Sequence, residues 1–183
     1  KIHYFVENKR GIASARNKCV NICKKNCADY LVFIDDDEIA DKNWLKELLC
    51  ANKRYQSDII VGPVLCRFEK TPEPWIEKVF FTRKQYNSGQ KMRNGATGNV
   101  LLNMDVFKHF NDNPFDEKFN FMPGEDTDFF RKLKKINYDI IWCNESIAFE
   151  NISIIRTKLK SCLIRAFNSG NSTFYIYKMQ KNN

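Results

Sequence analysis

The chain of 183 residues has no apolar run approaching the roughly 20 residues needed to cross a bilayer. Tyr30–Ile34 and Val79–Phe81 are typical of its apolar stretches. Glycine and proline are scarce, at seven and five, which excludes collagen-like and low-complexity chains. The seven cysteines, at 19, 23, 27, 50, 66, 143 and 162, are odd in number and form no CxxC pair. Free thiols in a reducing cytosol are therefore expected, not a disulfide framework. The opening Lys1-Ile2-His3-Tyr4-Phe5 contains neither an initiator Met nor a charged-then-apolar leader. It reads as the inside of a β-strand, Ile2–Val6, with native sequence expected upstream. Residues 151–183 contain no Asp or Glu.

What is present argues for one folded domain. Apolar residues make up 43% and aromatics 14%, fifteen of them Phe, against a mean hydropathy of −0.51. A chain of this size buries a real core, and such aromatic content is unlike disorder. The formal charge is +8, of which Arg156, Lys158, Lys160, Arg165, Lys178 and Lys181 contribute +6. So lopsided a partition does not fit a uniformly basic nucleic-acid surface, and no nucleic-acid partner is expected. In that tail Ile155, Leu159, Cys162, Leu163, Ala166 and Phe167 recur at helical spacing between cations, followed by Phe174-Tyr175-Ile176-Tyr177. This predicts a basic amphipathic helix, which either packs on the domain with a solvated basic edge or docks on an anionic membrane surface.

Along the chain, strand and helix alternate. Ile12, Ala15, Cys19, Ile22 and Cys23 predict one inward helix face running to about Cys27, with the Cys19/Cys23/Cys27 row packed in the core and not holding a metal. Tyr30–Ile34 is a continuous apolar run suited to a strand covered on both faces. Asp41 is expected to cap a helix that turns Trp44, Leu45, Leu48 and Leu49 inward. Asp58–Cys66 reads as a strand with a Gly62-Pro63 irregularity, residues 69–98 as a long loop, and Asn99–Asn103 as a strand. Asp126–Ile136 reads as a helix, and Asp139–Cys143 and Ser146–Phe149 as closing strands. The expected class is α/β with a largely parallel sheet. A core over 1–150 is followed by a helical tail over 151–183.

Two acidic clusters carry chemistry. Asp35-Asp36-Asp37-Glu38 follows the buried strand. Like charges at such a place repel unless a divalent cation joins them, and Mg²⁺ or Mn²⁺ prefers carboxylate and phosphate oxygens. The carboxyl end of a strand in an open α/β sheet is also where ligands bind. Strand alternation would turn Asp35 and Asp37 to one side and Asp36 to the other. Gly124-Glu125-Asp126-Thr127-Asp128 opens a helix, where acidic residues complement the dipole and can also supply a general base.

Together these segments resemble a family 2 glycosyltransferase with the GT-A fold, a Rossmann-like sheet flanked by helices. Gly11-Ile12-Ala13-Ser14-Ala15-Arg16-Asn17 is similar to the family's helix start. Phe33-Ile34-Asp35-Asp36-Asp37-Glu38 with Trp44-Leu45 is similar to its metal-binding DxD segment. Thr97-Gly98-Asn99-Val100 resembles the strand near the acceptor site, and Gly124-Glu125-Asp126-Thr127-Asp128-Phe129 the segment supplying the base. Gly62-Pro63-Val64, Pro74-Trp75-Ile76 and Trp142 through Glu150 resemble bacterial succinoglycan-biosynthesis-type glucosyltransferases. The resemblance implies that Asp35 and Asp37 hold Mn²⁺ or Mg²⁺ against a nucleotide-sugar diphosphate, with Asp36 nearby. It implies Asp126 as the base, Glu125 as a residue shaping the site, and Arg16 either at the donor nucleotide or in packing. Where many relatives place a His metal contact the chain has Phe149-Glu150, so Glu150 is the candidate third ligand. A UDP-sugar donor, a saccharide or lipid-linked acceptor, inversion at the anomeric carbon, and a cytoplasmic location at the inner membrane face follow from the same resemblance. The family's first strands, which carry base- and ribose-binding residues, have no counterpart here, so the fold is expected to be N-terminally truncated. Two other classes remain open: nucleotidyl transfer, and a non-catalytic domain that binds a partner or membrane through its tail.

Overall fold

A computed structural model describes residues 2–181; Lys1 and the last two positions of the basic tail lie outside the described residues. Among the described residues the strands are β1 (Tyr30–Ile34), β2 (Glu38–Ala40), β3 (Ile59–Val61), β4 (Val64–Phe68), β5 (Lys91–Met92), β6 (Asn99–Asn103), β7 (Ile140–Trp142) and β8 (Ala148–Ile152). The helices are α1 (Ile12–Lys25), α2 (Trp44–Tyr55), a single turn α3 (Pro74–Ile76) running into a π-helical turn (Glu77–Phe81), α4 (Glu125–Lys135) and α5 (Leu159–Lys181).

Five strands make one sheet in the order β1-β6-β3-β7-β5, and three make a second in the order β2-β8-β4. The expected parallel character is corrected to a mixed one. Among the described residues only β3–β7 and β4–β8 are parallel; β6 enters between β1 and β3 antiparallel to both, and β5–β7 and β2–β8 are antiparallel as well. The strand expected over Asp58–Cys66 is two strands in different sheets. Pro63 cannot donate to a ladder, and a Cβ on Gly62 would sit 2.3 Å from the Ser146 carbonyl oxygen. The buried Asn99 fastens this crossover: its Nδ2 donates to the Pro63 and Ser146 carbonyls at 2.9 and 2.7 Å, and its Oδ1 accepts from Trp44 Nε1 at 2.8 Å.

The strand expected at Ile2–Val6 is not formed: these residues are exposed and pair with no strand among the described residues. The expected face of α1 is also corrected. Its buried residues are Ala13, Ser14, Arg16, Asn17 and Val20, three of them polar. Each polar one has a partner: Ser14 N–H donates to Asn120 Oδ1 at 2.9 Å, Asn17 Nδ2 to the Phe115 carbonyl at 2.9 Å, and Arg16 to two carboxylates. Hydrogen bonding, not hydrophobicity, selects this face, so Cys19 and Cys27 are exposed and only Cys23 packs partly against the core. In α2 Leu48 is buried but Leu45 is exposed; Asn43, not Asp41, occupies the N-cap position, and the Asp41 carboxylate two residues ahead of it accepts from Asn43 N–H at 3.0 Å.

Both faces of β1 are covered, as its unbroken apolar run predicts. Leu31 and Phe33 join the core beneath α1 and α4, whereas Tyr30 and Val32 lie under α2. Much of the phenylalanine content sits in the first core. Phe129 has ring contacts with Phe107, Phe110, Phe115 and Phe130 at centroid separations of 4.5–5.7 Å. Helix α5 packs on the domain at two places along its length. Cys162 joins Ile76, Phe81 and Ile152 in a small cluster, and thirteen or so residues later Tyr175 meets Phe119.

Candidate active site

A cleft of about 610 Å³ opens where the carboxyl end of β1, the start of β6, the N-terminus of α4 and the segment before α5 converge. Its walls carry six carboxylates (Asp35, Asp37, Glu38, Glu125, Asp126, Glu150) and four guanidinium groups (Arg16, Arg83, Arg156, Arg165).

The first wall is the acidic turn. Leaving β1, the chain turns through Asp35-Asp36-Asp37. Glu38 N–H donates to the Asp35 carbonyl and Glu38 Oε2 accepts from Asp35 N–H, both at 3.1 Å. Asp35 and Asp37 face the cleft; Asp36 is exposed and lies outside its walls. Strand β2, which the sequence pattern did not suggest, pairs Glu38 directly with Glu150 on β8. Burial pushes the Glu38 carboxyl up to about 7, and the neighbouring Asp35, Glu150 and Asp37 charges push the same way.

The second wall is the start of α4. Gly124 precedes the helix at φ 121, a conformation that favours glycine. An added Cβ would also meet Ile176 of α5 at 2.8 Å. Glu125 is buried, accepts from Gly124 N–H at 3.1 Å and is ion-paired with Arg16. Asp126 lines the cleft, with Oδ1 held by Thr127 N–H at 2.6 Å.

Arginines connect the walls. Arg16 reaches from α1 to Glu125 and, at 3.2 Å, to Asp35, so one buried guanidinium ties the acidic turn to the α4 N-terminus. Glu150, also buried, receives Arg83 on one oxygen and Arg156 on the other. Arg156 also bonds Asp37 at 3.0 Å. Arg83, Arg156 and Arg165 carry no local signal of a site in the sequence; only folding shows them facing the carboxylates.

Hard oxygen donors on a tight turn match a divalent cation of the Mg²⁺ or Mn²⁺ type. Two formal negative charges in excess of the arginines also fit such an ion. Both Glu150 oxygens already accept from arginine, and no described group of three or more acidic, His or Cys side chains is gathered tightly enough to hold a metal by itself. The turn therefore offers part of a coordination shell, a pattern usual where substrate phosphate oxygens complete it.

Residues 1–110 match the family described as Glycosyl transferase family 2. The chain is 30% identical over 161 residues to the succinoglycan biosynthesis protein ExoM of Rhizobium meliloti (strain 1021), an alignment covering 87% of this chain and 50% of that protein. The chain thus spans about half the length of the curated relative it matches. Among solved structures it resembles GalNAc-T7 with UDP, GalNAc and Mn²⁺, at a TM-score of 0.57 and 13% identity over 80% of this chain and 31% of that one. It also resembles S. aureus TarS 1–349 in complex with UDP-GlcNAc, at a TM-score of 0.54 and 15% identity over 83% and 42%. At such identities the likeness is one of fold, the α/β arrangement of GT-A glycosyltransferases.

Proposed function

The chain belongs to glycosyl transferase family 2, and from that premise we propose that it moves a hexosyl group from a UDP-sugar to a saccharide or lipid-linked acceptor in surface polysaccharide synthesis, with inversion. The observation that carries this reading is the meeting of Asp35 and Asp37 with Asp126 in one cleft. The UDP-GlcNAc of TarS, the UDP of GalNAc-T7 and the succinoglycan biosynthesis named for the curated relative support it.

In this reading Asp35 and Asp37 hold Mn²⁺ or Mg²⁺, and Asp36, outside the cleft, adds charge only. The cation supplies Lewis acidity toward the departing diphosphate. Asp126 accepts the proton of the acceptor hydroxyl as its oxygen bonds to the anomeric carbon and the bond from that carbon to the diphosphate oxygen breaks. UDP leaves with the bonding electron pair, and a single displacement turns an α-linked donor into a β-linked product. The Thr127 N–H donates to Asp126 Oδ1 and fixes the orientation of the carboxylate. Arg16 acts as a positioning residue, since it bonds Glu125 and Asp35 together. Glu150 serves as the anchor of Arg83 and Arg156, a departure from its expected place as a metal ligand. Those arginines bring positive charge to the side of the cleft where diphosphate negative charge grows. Work at the inner membrane face, with peripheral contact through the tail, completes the proposal.

Calorimetric titration of UDP with and without Mn²⁺ tests the donor site. Metal-dependent binding that Asp35→Asn abolishes is expected. Binding of equal strength in the absence of metal, or in the variant, would remove the assigned role of the acidic turn.

A further inference from the structure

Helix α5 is apolar on two opposite sides. One side is held by the protein: Cys162, Ser172 and Ile176 are 2–5% exposed. The other carries Leu159, Leu163, Phe167 and Phe174, which are 44, 54, 69 and 67% exposed. Steps of four, four and seven residues hold these four within a sector of roughly 80° over about 23 Å of helix, facing away from the buried side. Gly170 falls in the same sector, and a Cβ built there meets nothing within 4 Å. An apolar row of this length is uncommon on an unpartnered soluble surface.

Charge decides what covers it. Lys160 and Lys178 are exposed beside the row, and residues 151–183 contain no Asp or Glu. A second copy fits poorly. Face-to-face pairing would set Lys160 and Lys178 of one helix against the same cations of another, and four side chains fall well short of the ~800 Å² per partner of a stable interface. Leu and Phe flanked by Lys160 and Lys178 suit an anionic lipid surface, where the apolar row enters the acyl boundary and the two ammonium groups meet phosphate headgroups. Among the described residues no helix is long and apolar enough to cross a membrane, so the helix would lie in the interface.

We propose that the outward face of α5, through Leu159, Leu163, Phe167 and Phe174 with Lys160 and Lys178 beside them, is a binding surface for anionic phospholipid bilayers. This deepens the peripheral contact proposed above and does not depend on the donor chemistry, so UDP titration and lipid binding fail separately. The test is co-sedimentation of the whole chain with phosphatidylcholine vesicles, with and without phosphatidylglycerol. Binding to the anionic vesicles, weakened by added salt, is expected. Leu163→Glu with Phe167→Glu should weaken partitioning about tenfold or more, and Lys160→Gln with Lys178→Gln should reduce the preference for phosphatidylglycerol. All four positions are exposed, so folding should persist, and an unchanged circular dichroism spectrum would check this. Equal binding to neutral vesicles, or no loss in the Glu variant, would overturn the proposal. A concentration-dependent dimer in sedimentation velocity, dissolved by the Glu variant, would overturn it in favour of a second copy.

Discussion

Replacing Arg16 with Met should destabilise the protein in a way that depends on pH. Arg16 and Glu125 side chains are 9% and 6% exposed, so the substitution leaves a carboxylate in a nearly dry site with the Gly124 N–H as its remaining bond. Breaking one partner out of a buried pair costs about 3–5 kcal/mol. The N-terminus of α4 offsets about 1 kcal/mol of that. Protonation sets a ceiling, since neutralising a glutamate of ordinary pKa near 4.3 at pH 7 costs about 3.7 kcal/mol and at pH 5 only about 1 kcal/mol. The expected loss is thus about 3 kcal/mol at pH 7 and about 1 kcal/mol at pH 5. The sign follows from linkage: the unpaired carboxyl holds its proton more tightly in the folded than in the unfolded chain, so the variant's stability falls as pH rises. Urea unfolding followed by tryptophan fluorescence at the two pH values reads both numbers. Adding Glu125→Gln should recover most of the loss at pH 7, because no buried charge remains. A loss below about 1 kcal/mol at pH 7, or one equal at both pH values, would refute the account of Arg16 as the partner of a buried charge.

Three further outcomes are expected. Asn99→Ala removes three hydrogen bonds, leaving the Ser146 carbonyl and the Trp44 indole N–H without a partner while the Pro63 carbonyl keeps the Ala148 N–H, and should cost about 3 kcal/mol in urea unfolding, at about 1 kcal/mol per lost bond. Glu38→Gln should raise the thermal midpoint in chelator at pH 8 and leave it unchanged near pH 4. The Glu38 carboxyl titrates at about 7 in the fold, so its contribution to stability falls as pH rises through that value; after discounting for partial exposure, the gain is about 1–2 kcal/mol. Asp126→Asn should lower the turnover of sugar transfer by a factor of about 10²–10⁴ while UDP affinity stays within twofold or so, as measured by release of UDP and by calorimetry.

Legibility in the sequence tracked how local each cause was. The bounds of β1 and β6 agree with the apolar runs Tyr30–Ile34 and Asn99–Asn103, and α4 starts within one residue of its Gly-Glu-Asp signal. Each of those signals spans a few neighbouring residues. The face of α1 is not legible in the same way: apolar spacing points to Ile12, Cys19 and Cys23, whereas Ser14, Arg16 and Asn17 are buried by partners about 100 residues away. The outer stripe and inner face of α5 were merged into one amphipathic pattern for a similar reason: hydrophobicity alone does not say which of two apolar sides meets protein.

By itself the sequence determined the α/β class, the acidic turn after β1 and the acidic start of α4, since these rest on short-range backbone preference and on charges adjacent in the chain. Tertiary structure alone decided that the sheet is mixed, that Glu38 pairs with Glu150, and that four arginines stand against six carboxylates. The Arg16–Glu125 and Arg156–Asp37 pairs join residues 109 and 119 positions apart. Burial strengthens such pairs and chain proximity does not, so they become visible only when separate elements close around one cleft.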